Sequence, residues 1–176
     1  MQNDNDFFKF LIDKSIIWIY KNREFYREKA KELDKNLIKK LESYFSKDIL
    51  QNARVYIADS MPKFDFLDEY GFTDFTRKIL KLEYKKCTLF LDTLIISKKA
   101  LDEYEYLVFY LLVHSTSYKI LGIKEFIKKY INQALIENYN LSHINIESKA
   151  RELSQRFINK EIFDVSKELE KFFKNN

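Results

Sequence analysis

The run Leu107-Val108-Phe109-Tyr110-Leu111-Leu112-Val113-His114-Ser115-Thr116-Ser117-Tyr118 has neither glycine nor proline. At 3.6 residues per turn, Leu107, Leu111, His114 and Tyr118 fall on one face, which predicts an inward-facing stripe. A helix over about 101–120 follows, and Gly122 is placed to end it with a left-handed cap. His114 is one of only two histidines and sits mid-helix among apolar residues.

Downstream, the pattern predicts a helix over about 123–138 that carries Phe126 and Tyr130. A further helix, capped by Ser142 or Asn145, is expected to run to about Ile158. Asp164 or Ser166 lies near the start of a last one. Upstream, Thr88 to Ile96 reads as a strand, because Leu89, Leu91, Thr93 and Ile95 alternate with their neighbours. Arg54-Val55-Tyr56-Ile57 reads as another, ended by Asp59-Ser60-Met61-Pro62, and the two are expected to pair. Between them, Phe64, Phe66, Tyr70, Phe72 and Phe75 suggest a segment packed over something, with a turn at Gly71. Residues 6–50 read as two or three helices. The first is apolar, the second is charge-rich around Glu24 to Leu33, and the third carries Leu37, Leu41 and Tyr44-Phe45. The expected fold is α+β, predominantly helical, with a small sheet of two or three strands. An N-terminal helical segment (1–35) and a helical domain (36–176) are expected to form one compact unit.

A length of 176 residues suits one domain able to build its own core. Only 2 glycines and 1 proline interrupt it, which favours long regular elements. The formal charge of +4 comes from 31 basic and 27 acidic residues mixed along the chain. No block of like charge stands out, so nucleic acid is not expected as a partner. Lys85-Lys86, Lys98-Lys99 and Lys128-Lys129 read as solvated faces. The single cysteine, Cys87, can form neither an intramolecular disulfide nor a Cys-rich zinc site, and reads as a small buried hydrophobe. Near the N-terminus, Phe7 to Tyr20 is apolar, but Asp4 and Asp6 precede it where a secretory signal would be basic. Asp13 and Lys14 make the run too short and too charged to span a bilayer. It is expected to be a core or homo-oligomer-contact helix, with a helix lying on a membrane surface as the sharper alternative.

Leu41 to Phe45, Val55 to Ile57, Thr88 to Ile96, the helix carrying His114, Leu121-Gly122 and Asn145 to Leu153 follow one another in an order that resembles a known family. It is similar to the short zincin-like metallopeptidase domains of bacteria, of the gluzincin type. Their zinc helix reads H-E-x-x-H, a Leu-Gly turn and a second helix follow, and a Glu in a third helix completes the site. The resemblance covers roughly residues 36–158. It implies that His114 matches the first ligand and Glu147 the third. Ser115 stands where the general-base Glu would be, and Tyr118 where the second His would be.

A serine hydroxyl cannot take a proton from zinc-bound water near neutral pH, and catalytic zinc sites need three protein ligands. His114 and Glu147 supply two, and His143 is a candidate third whose position equally fits a surface loop. A relic polar cluster of His114, Tyr118 and Glu147 is therefore expected, with no catalytic residue, metal or cofactor. In it the Tyr118 hydroxyl would bond to His114 or Glu147, and Glu147 would pair with Arg151 at i,i+4.

The function expected from this reading is that of a cytoplasmic, non-catalytic pseudo-metallopeptidase that binds a protein partner or serves as a structural module. One alternative is a residual metal-dependent hydrolase using His114 and Glu147. The other is a membrane-surface or oligomer-forming protein working through residues 7–20.

Overall fold

The computed structural model describes residues 2–63, 86–137 and 143–175, with side chains from residue 6 onward. The aromatic segment expected to pack over the fold, and Ser142, lie outside these residues. Helix α1 (Gln2–Arg27) is followed by a two-residue strand β1 (Lys31–Glu32), α2 (Lys35–Leu41) and α3 (Lys47–Asn52). Then come β2 (Arg54–Ala58), β3 (Cys87–Phe90), β4 (Thr93–Ser97) and a 3-10 turn (Lys98–Glu103). Four helices complete the described chain: α4 (Tyr104–Leu121), α5 (Ile123–Ile136), α6 (Asn145–Ile158) and α7 (Val165–Lys174).

The fold is α+β and mostly helical, around one small mixed sheet of order β1-β2-β4-β3. The sheet has four strands where two or three were expected, for two reasons. The segment read as one strand, Thr88 to Ile96, is a hairpin that turns at Leu91-Asp92 and pairs Phe90 with Thr93. Leu91 takes the positive φ (60°) that such a two-residue turn needs. Glycine usually supplies that angle, so the turn left no signal in the sequence. The other surplus strand, β1, lies inside the stretch read as a charge-rich helix, Glu24 to Leu33. Instead α1 continues to Arg27, and Lys31-Glu32 pair antiparallel with Val55 and Arg54.

β2 and β4 run parallel in the middle of the sheet, and every residue of β4 is buried. A strand covered on both faces needs apolar groups on both, so its sequence reads as a run rather than an alternation. Leu94 and Ile96 enter the core shared with α2, α4, α6 and α7. Ile95 and Phe90 point the other way, into a core with Ile12, Trp18 and Ile19 of α1 and Phe126 and Ile127 of α5. The indole of Trp18 meets the Phe90 ring edge-on at 5.0 Å. Most of the N-terminal apolar run is thus spent inside, and Ile12, Trp18, Ile19 and Leu33 share cores with the rest of the described chain.

Helix α4 carries the site. Its buried Thr116 and Ser117 hydroxyls donate to the carbonyls of Leu112 (2.8 Å) and Val113 (3.0 Å), so the polar run is tolerated in the core. It ends at Gly122, whose φ of 75° and ψ of 150° lie outside the left-handed helical cap expected there. That backbone conformation is essentially restricted to glycine, and Gly122 uses it to turn directly into α5. Asp164 caps α7 by accepting from Lys167 N. At α6 the N-cap is Ile144 and Asn145 is the first helical residue, so the expected Asn145 cap is not made.

Candidate functional site

Tyr110 and His114 are four residues apart on α4 and share one of its faces. Their rings meet edge-on at 4.8 Å, and Phe126 of α5 stands edge-on to the imidazole at 6.0 Å. Against this face comes Glu147, in the first turn of α6, where the helix dipole favours a negative charge. Tyr130 reaches in from α5. His114 and Glu147 are each only 6% exposed. The structure therefore brings together the imidazole and the distant carboxylate that sequence order had paired.

The contacts around the carboxylate differ from those expected. The Tyr130 hydroxyl donates to Glu147 Oε1 at 2.9 Å, and the Tyr110 hydroxyl donates to Oε2. His114 Nε2 lies 3.6 Å from Oε2, a charge contact too long for a hydrogen bond. Nε2 has no hydrogen-bond partner. Arg151 Nη1 stands 3.9 Å from Oε2, the i,i+4 approach foreseen. Tyr118, expected to bond to His114 or Glu147, lies with its ring 4.2 Å from that of Phe126. The hydroxyls on Glu147 belong to Tyr110 and Tyr130. One signal could have found Tyr110: it precedes His114 by four residues, as Tyr118 follows it by four. Nothing local in the sequence marks Tyr130.

Electrostatics follow from this arrangement. Burial alone would raise the Glu147 carboxyl, but the His114 charge and the tyrosine hydroxyls outweigh it and hold it down at about 2. Burial, then the adjacent Glu147 charge, push the Tyr110 phenol well above its ordinary value. Burial, with smaller contributions from Glu147 and Glu103, pushes the Cys87 thiol up to about 12, although by exposure the residue is half-buried rather than the buried hydrophobe expected. His143 is exposed and pairs with Glu137 at 3.2 Å, on the surface and apart from the buried cluster.

Zinc does not fit these residues. Among the described residues no three His, Cys, Asp or Glu side chains converge so as to hold a metal. Tyr118 packs on a phenylalanine where a second imidazole would be needed, and both oxygens of Glu147 accept phenol hydrogens. Ser115 offers no general base beside His114. The cluster can hold three helices together through one carboxylate, but it lacks the parts of a hydrolytic zinc centre.

A separate cavity of about 250 Å³ lies near the far end of α4, lined by Asp48, Asn52, Asp92, Ser115, Tyr118 and Lys119 among others. Its charges are already paired: Lys119 with Asp48 at 2.6 Å, and Asp92 with Arg23 at 2.8 Å. Among the described residues, no single helix is long and apolar enough to cross a membrane. Comparison with known proteins found no matching family model, no matching curated protein and no matching solved structure.

Proposed function

We propose that this chain is a non-catalytic, zincin-like module of the cytoplasm that acts by binding a protein partner. The observation that carries this reading is the closed environment of Glu147. A hydrolase would need an open carboxylate ligand, a second imidazole and a base next to His114. Here two phenol hydroxyls fill the carboxylate, an aromatic residue replaces the imidazole and a serine replaces the base. The order of elements from α2 to α6 supports kinship with the zincin-like domains, and the altered residues support loss of their chemistry.

The test is hydrolysis of casein by the full chain, with and without added zinc. No cleavage above buffer is expected from wild type or from His114→Ala. Cleavage by wild type that His114→Ala abolishes overturns the reading in favour of the residual hydrolase.

A second observation bears on how the module binds. On α1, Ile17 is 60% exposed and Tyr20, one turn on, 45%. This pair is what residues 7–20 leave outside the core, and it favours an oligomer or partner contact there. In sedimentation velocity, Ile17→Ser with Tyr20→Ser is expected to shift any self-association toward monomer. Self-association that the pair of changes leaves untouched removes α1 from the interface.

A further inference from the structure

The cavity of about 250 Å³ beside α4 is lined by a buried hydroxyl that the fold does not use. Thr116 and Ser117 turn their hydroxyls back onto helix carbonyls. Ser115, just before them, does not. It is 8% exposed and makes no hydrogen bond among the described residues. Its Oγ is not sealed from water either, since the sealed side-chain atom without a partner among the described residues is His114 Nε2. The Ser115 hydroxyl therefore opens onto the cavity that its residue lines. We propose that this cavity, with Ser115, Asn52 and Lys119 as its polar contacts, binds a neutral polyhydroxylated molecule about one sugar ring in size. The inference goes beyond the binding of a protein partner and does not rest on it.

Charge argues for a neutral ligand. Lys119 Nζ donates to Asp48 Oδ2 at 2.6 Å. Asp92 is gripped by Arg23 at 2.8 Å and approached by Arg27 at 2.9 Å. A charged ligand must break one of these pairs or settle beside a like charge, whereas an uncharged one leaves both intact. What stays open after this pairing is a mixed set of donors and acceptors. Asn52 Nδ2 donates to the backbone oxygen and to Oδ1 of Asp48, each at 2.9 Å. Both partners only accept, so the amide can face one way, and its Oδ1 remains as an acceptor. Lys119 keeps ammonium hydrogens beyond the one given to Asp48, and the Ser115 hydroxyl both donates and accepts. A sugar hydroxyl also does both, so neighbouring hydroxyls on one ring match such a set. A simple anion or cation offers one kind only.

Regular elements hold these groups. Ser115 and Lys119 are one turn apart on α4, and Asp48 and Asn52 one turn apart on α3. The Lys119–Asp48 pair ties the two rows together, and Arg27 Nη1 donates to the Asn52 carbonyl at 3.1 Å. Ile49, Leu91 and the Tyr118 ring, which packs on Phe126 at 4.2 Å, give apolar surface for the C–H side of a ring. An apolar lining with a few placed polar groups is the usual composition of a small-molecule site. The volume lies just under the range of about 300–1,000 Å³ that suits drug-sized ligands, which limits the occupant to roughly one ring.

The test is saturation-transfer NMR on the full chain, titrated with D-glucose, D-galactose, D-mannose and myo-inositol. Saturable binding of at least one is expected, with a Kd of about 1 mM, the scale for so small a ligand. Ser115→Ala is expected to weaken it about fivefold by removing one hydrogen bond. The same variant should leave the urea midpoint no lower, because the hydroxyl has no partner inside the chain to lose. Four results overturn the proposal: no saturable signal from any of the four probes, binding that Ser115→Ala leaves intact, a lowered urea midpoint in that variant, or binding of inorganic phosphate or glucosamine but of no neutral probe. The last would mark a site for charged ligands. The wild-type titrations need no variant to fold. Casein cleavage and sedimentation are read separately, so each proposal stands or falls alone.

Discussion

Two carboxylates in this protein are kept ionised in different ways. Asp92, at the β3–β4 turn, receives Arg23 in a bidentate grip, with both bonds 2.8 Å, and Arg27 at 2.9 Å. It ties α1 to the hairpin, and its side chain is about a quarter exposed. Burial would raise its carboxyl, but the Arg23 hydrogen bonds and the guanidinium charges lower it. Glu147, in the core, relies instead on two neutral phenols and one imidazole. The comparison teaches that position sets the worth of each charge. At the turn, solvent and salt can replace a lost cation; in the core, a lost partner leaves polar groups that water cannot reach.

The largest expected effect breaks the buried side of the comparison. Glu147→Ala strands two phenols and an imidazole, and is expected to lower stability by ~3–5 kcal/mol in urea denaturation. A loss under 1 kcal/mol would mean that the cluster is not a structural tie.

Acid comes next. The Glu147 carboxyl is depressed in the folded state, so the stability it contributes is present above its unfolded value, near 4.5, and falls away as pH drops toward about 2. Roughly 3 kcal/mol is at stake over that window, at ~1.4 kcal/mol per pH unit. Asp92 contributes in the same direction. The acid limb of the stability profile should therefore flatten in Glu147→Gln, and an unchanged limb would assign acid sensitivity elsewhere.

Removing one hydroxyl should cost less. Tyr110→Phe loses a buried hydrogen bond to a charged group, worth ~1.5–3 kcal/mol, with no change on adding salt. At the turn, Arg23→Ala is expected to cost about 1 kcal/mol or less, because Arg27 remains and the site is partly solvated. That smaller loss should shrink further in high salt. If salt affects the Tyr110 and Arg23 variants equally, the distinction between the two carboxylates fails.

The nearness of His114 and Glu147 was expected only from the family resemblance. The sequence by itself determined the helical class, the central helix through His114 and a last helix starting near Asp164 or Ser166. These rest on signals within one turn or one element: breaker-free apolar runs, capping residues and 3.6-residue periodicity. Tertiary structure alone decided that Leu91-Asp92 is a hairpin turn, because packing forces a positive φ on a leucine there. It also placed Lys31-Glu32 at the sheet edge, where the partner strand supplies the hydrogen bonds that the local sequence could not specify. And it chose Tyr110 and Tyr130 over Tyr118 as the donors to Glu147. That choice depends on how α4, α5 and α6 are rotated against one another, which non-local packing sets and no spacing within one helix encodes.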